Sequence, residues 1–444
     1  MFKKIYFKTK LISAFLRQNF YFLIIGILVG SISFYALPLL KKTITSKQIK
    51  KEKIGIVGLY TKKNLPYSIT SLISYGLTQT GHNNKIENSP LLEKWTVKND
   101  NKNFILDINT NHYWHNGQKF KVQDINYQIS GAKIEKINKK QIKISLQKPF
   151  SPLLSLLQQP LFKNSKKLIG LGHYQVKKIK YRGTYVKQIL LYKKNNKKQQ
   201  VQFSFYDNQS DLINAFKLGE VNTIQNVSST KNIEQWPNVT ITPKTSTNQS
   251  YVALFLNTKK LDNKSLRQAL AYATPKESQQ KNRCIGPISP NSWAYNENIK
   301  RYNYNPKRAK KLFEKNKIDQ INITLNDPKL LPLAEKIKES WQKILDLKTN
   351  LSVSNQIDTN NFEVILTQGA IPVDPDQYLF WHSTQNTNLT KLNNPKIDKL
   401  LEQGRQSFDI QERKQIYLGF QRSLLEECPA IFLYYPITYT VSKK

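Results

Sequence analysis

A chain of 444 residues with 39% apolar and 11% aromatic side chains is too long for one core, which stops growing near ~250–300 residues, and too apolar to be disordered. Its formal charge of +39 admits a polyanion or an anionic membrane surface as a partner. Lysine, however, is spread along the whole chain with abundant asparagine and isoleucine, as a low-GC coding bias would leave it, and no nucleic-acid motif accompanies it.

Residues 20–40, FYFLIIGILVGSISFYALPLL, form an almost unbroken apolar run of the length a helix needs to cross a hydrocarbon core of about 30 Å. Lys3, Lys4, Lys8, Lys10 and Arg17 precede it, and Lys41, Lys42, Lys47, Lys50 and Lys51 follow it, so the charge rule for orientation is nearly tied. A cleaved leader has a shorter apolar run and a small-x-small site after it. The run is therefore expected to be an uncleaved transmembrane anchor followed by a short charged tether, with no cysteine nearby for lipid attachment.

Beyond the tether, alternation in Phe104–Ile108, Gln141–Leu146 and Tyr185–Tyr192 predicts half-buried strands. Lys193, Lys194, Lys197 and Lys198 fall between strand-like runs, where a solvated hairpin tip is the ordinary explanation. The character changes near 250, where VALFLN precedes a helix carrying Leu266, Ala269, Leu270 and Ala273 on one face. Asn305-Pro306 and Asn394-Pro395 each place a capping side chain before proline at the first helical position. Asp409 with Glu412 resembles a capping box opening the helix that carries Ile416, Phe420 and Leu424. The strand at 321, the helix with Leu333, Ile337, Trp341 and Leu345, and the strand at 362 give the strand–helix–strand order of an α/β lobe.

The chain offers little chemistry. His82, His112, His115, His173 and His382 stand at no metal or nucleophile spacing, and there is no glycine-rich phosphate loop. Cys284 and Cys428 give neither a disulfide framework nor a zinc motif; whether they pair is left open. No cofactor or metal is expected, and no enzyme activity.

The stretch LLEKWTVKNDNKNFILDINTNHYWHNGQKFKVQDINYQI at 91–129 resembles the opening signature of the family-five bacterial extracellular solute-binding proteins. Trp114, His115, Asn116, Gly117, Phe120 and Asp124 occupy the family's "WHDG" and "F-T-A-x-D-V" places, asparagine replacing the usual aspartate. Further matching stretches follow in order: LGHYQVKKI at 171, LINAFKLGEV at 212, YVALFLNTKKLDNKSLRQALAYAT at 251, SPNSWAYNENIKRYNYNPKRAKKLFE at 289, VDPDQYLFWHS at 373, and the closing segment from Asn393 to Tyr435.

The resemblance implies an α/β, two-lobed periplasmic-binding-protein-like fold (type II, cluster C-like) with a hinge, here preceded by one N-terminal transmembrane helix. The expected division is a basic cytoplasmic segment 1–19, an anchor 20–40, a tether 41–52, a β-rich first lobe 53–249 plus 431–444, and an α/β second lobe 250–430. The strand IFLYY is expected to return to the first lobe, a helix is expected after Asp124, and the first lobe's small extra subdomain is expected to be trimmed.

By the same resemblance, the chain is expected to be a monomer, held at the cell membrane with its bulk outside. It would capture short peptides or small polar solutes and pass them to an ABC permease with its ATPase, without nucleic acid. The family stretch whose backbone pairs with an extended peptide corresponds to Thr367, Gln368, Gly369 and Ile371; Ile371 stands where peptide-binding members carry an aspartate for the peptide's amino terminus. Asp374 is a substitute candidate beside its role in the turn. Trp293, Tyr295, Tyr378 and Trp381 are candidates for cleft walls or core. Two other classes stay open: a receptor or scaffold that keeps the fold without transport, and a polyanion or membrane-surface binder whose affinity falls with salt.

Overall fold

The computed structural model describes residues 13, 16–22, 24–26, 28–32, 34, 50–81, 84–98, 101–231, 233–276, 282–354 and 356–444. His82, residues 1–12 and most of the expected tether lie outside them, as does part of the expected anchor. Among the described residues no helix is long and apolar enough to cross a membrane; those described between 16 and 34 are almost all helical, with Phe20, Ile25, Leu28 and Ile32 exposed.

Seven strands build the first large sheet, in the spatial order Val239–Thr245, Ile437–Lys443, Thr223–Val227, Lys50–Val57, Asn196–Tyr206, Tyr185–Lys193, Tyr174–Arg182. On one face Ile54, Ile56, Ile189, Leu191 and Phe203 pack with Ile69 and Ile73 of the helix Tyr67–Ile73. On the other, Leu212 and Phe216 of the helix Gln209–Lys217 pack with Ile224, Val227 and Val441. That helix can approach because Gly55 has no side chain: a Cβ there would stand 2.4 Å from Leu212 Cδ1, so the glycine serves close packing.

The second large sheet has the order Lys348–Val353, Gln320–Leu325, Val364–Ala370, Ser250–Leu256, Ala430–Tyr434. Its core is the largest, gathering Leu254, Leu256, Leu270, Ile323, Trp341, Leu366, Phe420 and Leu424. The helix caps follow the local signals. Asn305 accepts from Arg308 N–H, Asn394 from Lys396 and Ile397 N–H, and Asp409 from Glu412 N–H. The box at Asp409 is only half closed, because the Glu412 carboxylate takes the Ser407 hydroxyl instead (2.6 Å).

Two adjacent stretches of chain, the hinge strands of the expected fold, join the sheets. One runs from Thr245 to Ser250 and the other from Tyr434 to Ile437; Thr245 is in register with Ile437, and Ser246 N–H donates to Pro436 O (2.8 Å). The strand IFLYY thus does not return to the first sheet. It pairs with Ser250–Leu256, because Ile431 to Leu433 are buried on both faces beside a neighbour buried from Tyr251 to Leu256, and the return is made past Pro436 by Ile437–Lys443.

The opening signature folds into a four-stranded antiparallel sheet, Leu92–Val97, Asn103–Ile108, Gln141–Leu146 and Ala132–Lys136 in spatial order. Phe104, Leu106, Ile142 and Ile144 alternate into its core beside Trp114 and Phe120. No helix follows Asp124: a 3-10 turn at Val122–Asp124 passes into irregular chain and then the strand Ala132–Lys136. The chain is held off helical geometry by Tyr127, whose hydroxyl meets Leu157 O (2.8 Å), Gln159 O (2.9 Å) and Leu77 N–H (3.0 Å), and by Gly131 at φ 73°.

Within the signature, Trp114 Nε1 donates to Asp124 (2.9 Å), and Gly117 turns the chain at φ 82°. His115 takes the Gly170 N–H on Nδ1 (3.3 Å) and meets Gly172 O with Nε2 (3.0 Å), a pattern that calls for neutral imidazole. Burial, only partly offset by the Gly172 bond and reinforced by Lys194, lowers its pKa. The folded ring therefore binds its proton less readily than the unfolded one. The stability this site contributes is complete above the unfolded value near ~6.5 and is lost as pH falls through it toward the lowered folded value. A denaturation midpoint followed between about pH 7.5 and 5 should decline, and His115→Gln should flatten that decline; an unchanged slope would remove His115 as its cause.

Candidate functional site: the hinge end of the five-stranded sheet

The carboxyl ends of Gln320–Leu325 and Val364–Ala370 meet the start of Ser250–Leu256 at the same end as the hinge strands. Binding sites favour such strand ends in α/β sheets. Residues 364–366 pair with 323–325, but after Leu325 the chain leaves the sheet through Asn326 and Asp327 into the 3-10 turn Pro328–Leu330. Among the described residues, 367–370 thus pair on the Ser250 side alone.

Ile371 N–H donates to Gln249 O (2.9 Å). Alternation along the antiparallel pair then turns the N–H and C=O groups of Gln368 and Ala370 to the open side. The edge is shaped on its other faces. Thr367 Oγ1 donates to Asn326 Oδ1 (2.8 Å), and Gly369 is required by Tyr251, whose ring a Cβ would approach to 2.4 Å. Gln368 and Ala370 are exposed.

The expected site residues separate into different roles. Ile371 is 7% exposed and packs in the core of the second lobe. Asp374 is buried in a two-pronged pair with Arg413, Nη2 to Oδ1 at 2.8 Å and Nη1 to Oδ2 at 3.2 Å, and its Oδ1 also caps Asp376 N–H. Asp376 is likewise held by Arg405, with Nη2 to Oδ2 at 2.8 Å and Nε at 2.9 Å. Each carboxylate is thus balanced by a guanidinium from a helix or helix end that packs beneath the loop, the geometry that makes such pairs strong.

Trp381, 1% exposed, stacks on Phe255 with ring centroids 6.2 Å apart and belongs to the core. Trp293 is half-buried, edge-on to Tyr417 (6.3 Å), with the Arg413 guanidinium 5.4 Å from its ring; it buttresses the Asp374 pair. Tyr295 is half-buried near Cys284 and Arg283. Thr367, Gln368 and Gly369 therefore share one strand end, but of the three Gln368 alone turns its backbone groups to the open side, while Ile371, Asp374 and Trp381 are buried within the lobe.

Residue-type reasoning missed the arginines. Arg283 donates to the carbonyls of Cys284, Phe432, Leu433 and Arg301, and burial pushes it down to about 10 although Cys284 and Tyr435 act the other way. Arg413 lies on the buried face of the helix Ile410–Glu427 with Tyr417, Phe420 and Leu424; an arginine in an apolar stripe was a signal that a buried carboxylate stood opposite. Both cysteines are buried and free, and burial raises Cys284 to about 11 and Cys428 to about 12. Among the described residues no three of His, Cys, Asp and Glu converge as a metal site.

The two lobes also touch away from the hinge. Ser151 N–H donates to Arg405 O (2.7 Å), its hydroxyl to Gly404 O (3.1 Å), and Phe408 packs on Phe104 with centroids 5.4 Å apart. Arg405 covers Tyr378 at 3.9 Å and Phe150 at 5.3 Å, so one side chain joins the Asp376 loop to the four-stranded sheet.

Residues 126–390 match the model of the bacterial extracellular solute-binding proteins, family 5 Middle. The chain is 28% identical over 247 residues to the heme-binding protein A of Haemophilus influenzae, covering 49% of this chain and 44% of that protein, less than half its length. It is 20% identical over 437 residues to the dipeptide-binding protein of Escherichia coli, covering 80% and 82% of the two chains. Among solved structures, NikZ from Campylobacter jejuni in complex with Ni(L-His) superimposes with a TM-score of 0.73 at 23% identity, covering 89% of this chain and 94% of that one.

Proposed function

Because the chain belongs to the bacterial extracellular solute-binding proteins of family 5, we propose that it captures a short peptide or similar small polar solute between its lobes and hands it to an ABC permease with its ATPase, catalysing nothing itself. Capture takes place outside the membrane, with residues 20–40 as the anchor and the chain acting as a monomer. The dipeptide-binding relative supports the ligand class. The observation that carries the reading is the backbone edge at residues 367–370, paired on one side only and lying beside the hinge.

An extended peptide laid along this edge takes main-chain hydrogen bonds from Gln368 and Ala370, a mode tolerant of side chains. Asp374 and Asp376 are already held by arginines, so recognition rests on the backbone and not on an ammonium–carboxylate pair. The test is native mass spectrometry of the purified chain, then a thermal-shift screen of peptides and small metabolites. A co-purified peptide, or a saturable stabilisation of about 2.7 kcal/mol at a hundred times Kd, is expected, and Gln368→Pro, which removes one open-side N–H, should abolish it. No shift across the screen would favour a scaffold that keeps the fold without transport. A shift that survives Gln368→Pro would place the solute elsewhere.

A further inference from the structure

Residues 136–206 hold seventeen lysines and arginines and no aspartate or glutamate, in a chain with 30 acidic residues. A coding bias that enriches lysine everywhere does not clear carboxylates from one long block. Much of that block forms the outer strands of the seven-stranded sheet, and their ends gather with other cations at one edge.

Register fixes that edge. Lys50 pairs with Gln199 at the start of its strand, so the hairpin carrying Lys193, Lys194 and Lys197 turns at the same end. Lys443 pairs with Val239 there too, and Lys444 N–H donates to Asn238 O (2.9 Å). Lys217 lies 5.2 Å from the half-buried ring of Trp236, and Lys443 5.3 Å from Phe216. Lys194 Nζ also reaches Tyr113 O (3.4 Å). Glu52 alternates away from Lys51 and Lys53. Burial first, then Lys53, Lys180 and Lys177, lower the Lys51 ammonium, as expected where cations crowd. Seven strands at ~4.8 Å spacing make this edge about 29 Å wide. It is the end opposite the hinge, since the hinge strands leave from Thr245 and Ile437.

The geometry points to this edge as a docking surface for anionic lipid headgroups. The inference rests on residues 20–40 being a membrane anchor. Nine residues separate Leu40 from Lys50, a reach of at most about 32 Å when fully extended, so the edge that receives the tether is the part of the first lobe held nearest the bilayer. A cationic fringe with one amphipathic aromatic ring is the composition that settles on such a surface. An acidic segment of a protein partner would be attracted by the same charges, but nothing fixes one within reach as the tether fixes the bilayer.

The test reconstitutes the full chain in vesicles of phosphatidylcholine alone or mixed with phosphatidylglycerol. Lysine acylation is mapped by peptide mass, and anchoring is scored separately by resistance to alkaline extraction. Lys193, Lys197 and Lys443 should be acylated about tenfold more slowly on the anionic vesicles, with protection lost at high salt. Lys193→Gln with Lys194→Gln, Lys197→Gln and Lys198→Gln should expose Lys443 as well. Equal acylation on both vesicles in an extraction-resistant chain overturns the docking and leaves the anchor standing. Salt-sensitive protection in a chain that alkali extracts supports the docking and rejects the anchor. Protection that appears only with a co-reconstituted permease overturns the docking in favour of an acidic protein partner.

Discussion

Arg413→Ala is expected to lower the stability of the chain by about 3–5 kcal/mol, the cost of leaving a buried carboxylate without its partner. Asp374 and Arg413 are both nearly inaccessible to solvent, Arg413 Nε also donates to Gly404 O (2.9 Å), and Trp293 rests beside the guanidinium. The pair therefore ties the loop that follows the open edge to the helix Ile410–Glu427 and to the segment that contacts Ser151. Denaturant unfolding measures the loss. The double change Arg413→Met with Asp374→Asn should recover part of it, since replacing both partners removes the stranded charge. A single substitution costing less than about 1 kcal/mol, in the range of a surface pair, would show that water reaches the site and that the loop is not fixed this way.

Ile371→Asp is expected to destabilise by about 4 kcal/mol or more and to bring no gain in peptide binding. The change gives up an apolar side chain worth about 1.5–3 kcal/mol of burial and places a carboxyl where nothing solvates it. The family resemblance implies an aspartate for the peptide's amino terminus at this position, yet here the side chain of Ile371 faces the core. Unfolding and thermal-shift titrations with free and amino-blocked peptides separate the outcomes. A well-folded variant that binds free peptides at least about tenfold more tightly, a gain of ~1.4 kcal/mol, would instead place residue 371 on the cleft wall.

What could be read from the sequence was local. The caps at Asn305, Asn394 and Asp409 are set by three or four neighbouring residues, and the alternation of Phe104, Leu106 and Ile108 states which face of a strand is buried. The stretch Thr367–Ile371 stood out only through the family resemblance; its residues to Ala370 continue the strand that begins at Val364, and the open side of that edge depends on where a different strand ends, at Leu325. Asp374 and Arg413 lie 39 residues apart and become partners only through the placement of a helix beneath a loop, which no spacing rule encodes. IFLYY belongs to the other sheet because it is not the last strand: the alternating strand Ile437–Lys443 follows Pro436 and makes the return. The helix expected after Asp124 failed because Tyr127 spends its hydroxyl on three backbone groups that local propensity does not see.

The paired hinge strands also bear on the order in which the molecule assembles. Thr438 meets Lys244 across 194 residues of chain, and the strand Ile437–Lys443 lies inside the seven-stranded sheet, between Val239–Thr245 and Thr223–Val227. The lobe that is synthesised first therefore cannot close its sheet until the whole second lobe has been made, whereas the second lobe has all its strands within 250–434. Contacts this distant form slowly and leave strand edges open meanwhile. The second lobe is thus able to fold first, bringing Ser250 and Tyr434 together, and so hold in place the two ends between which the first lobe's missing strand must thread.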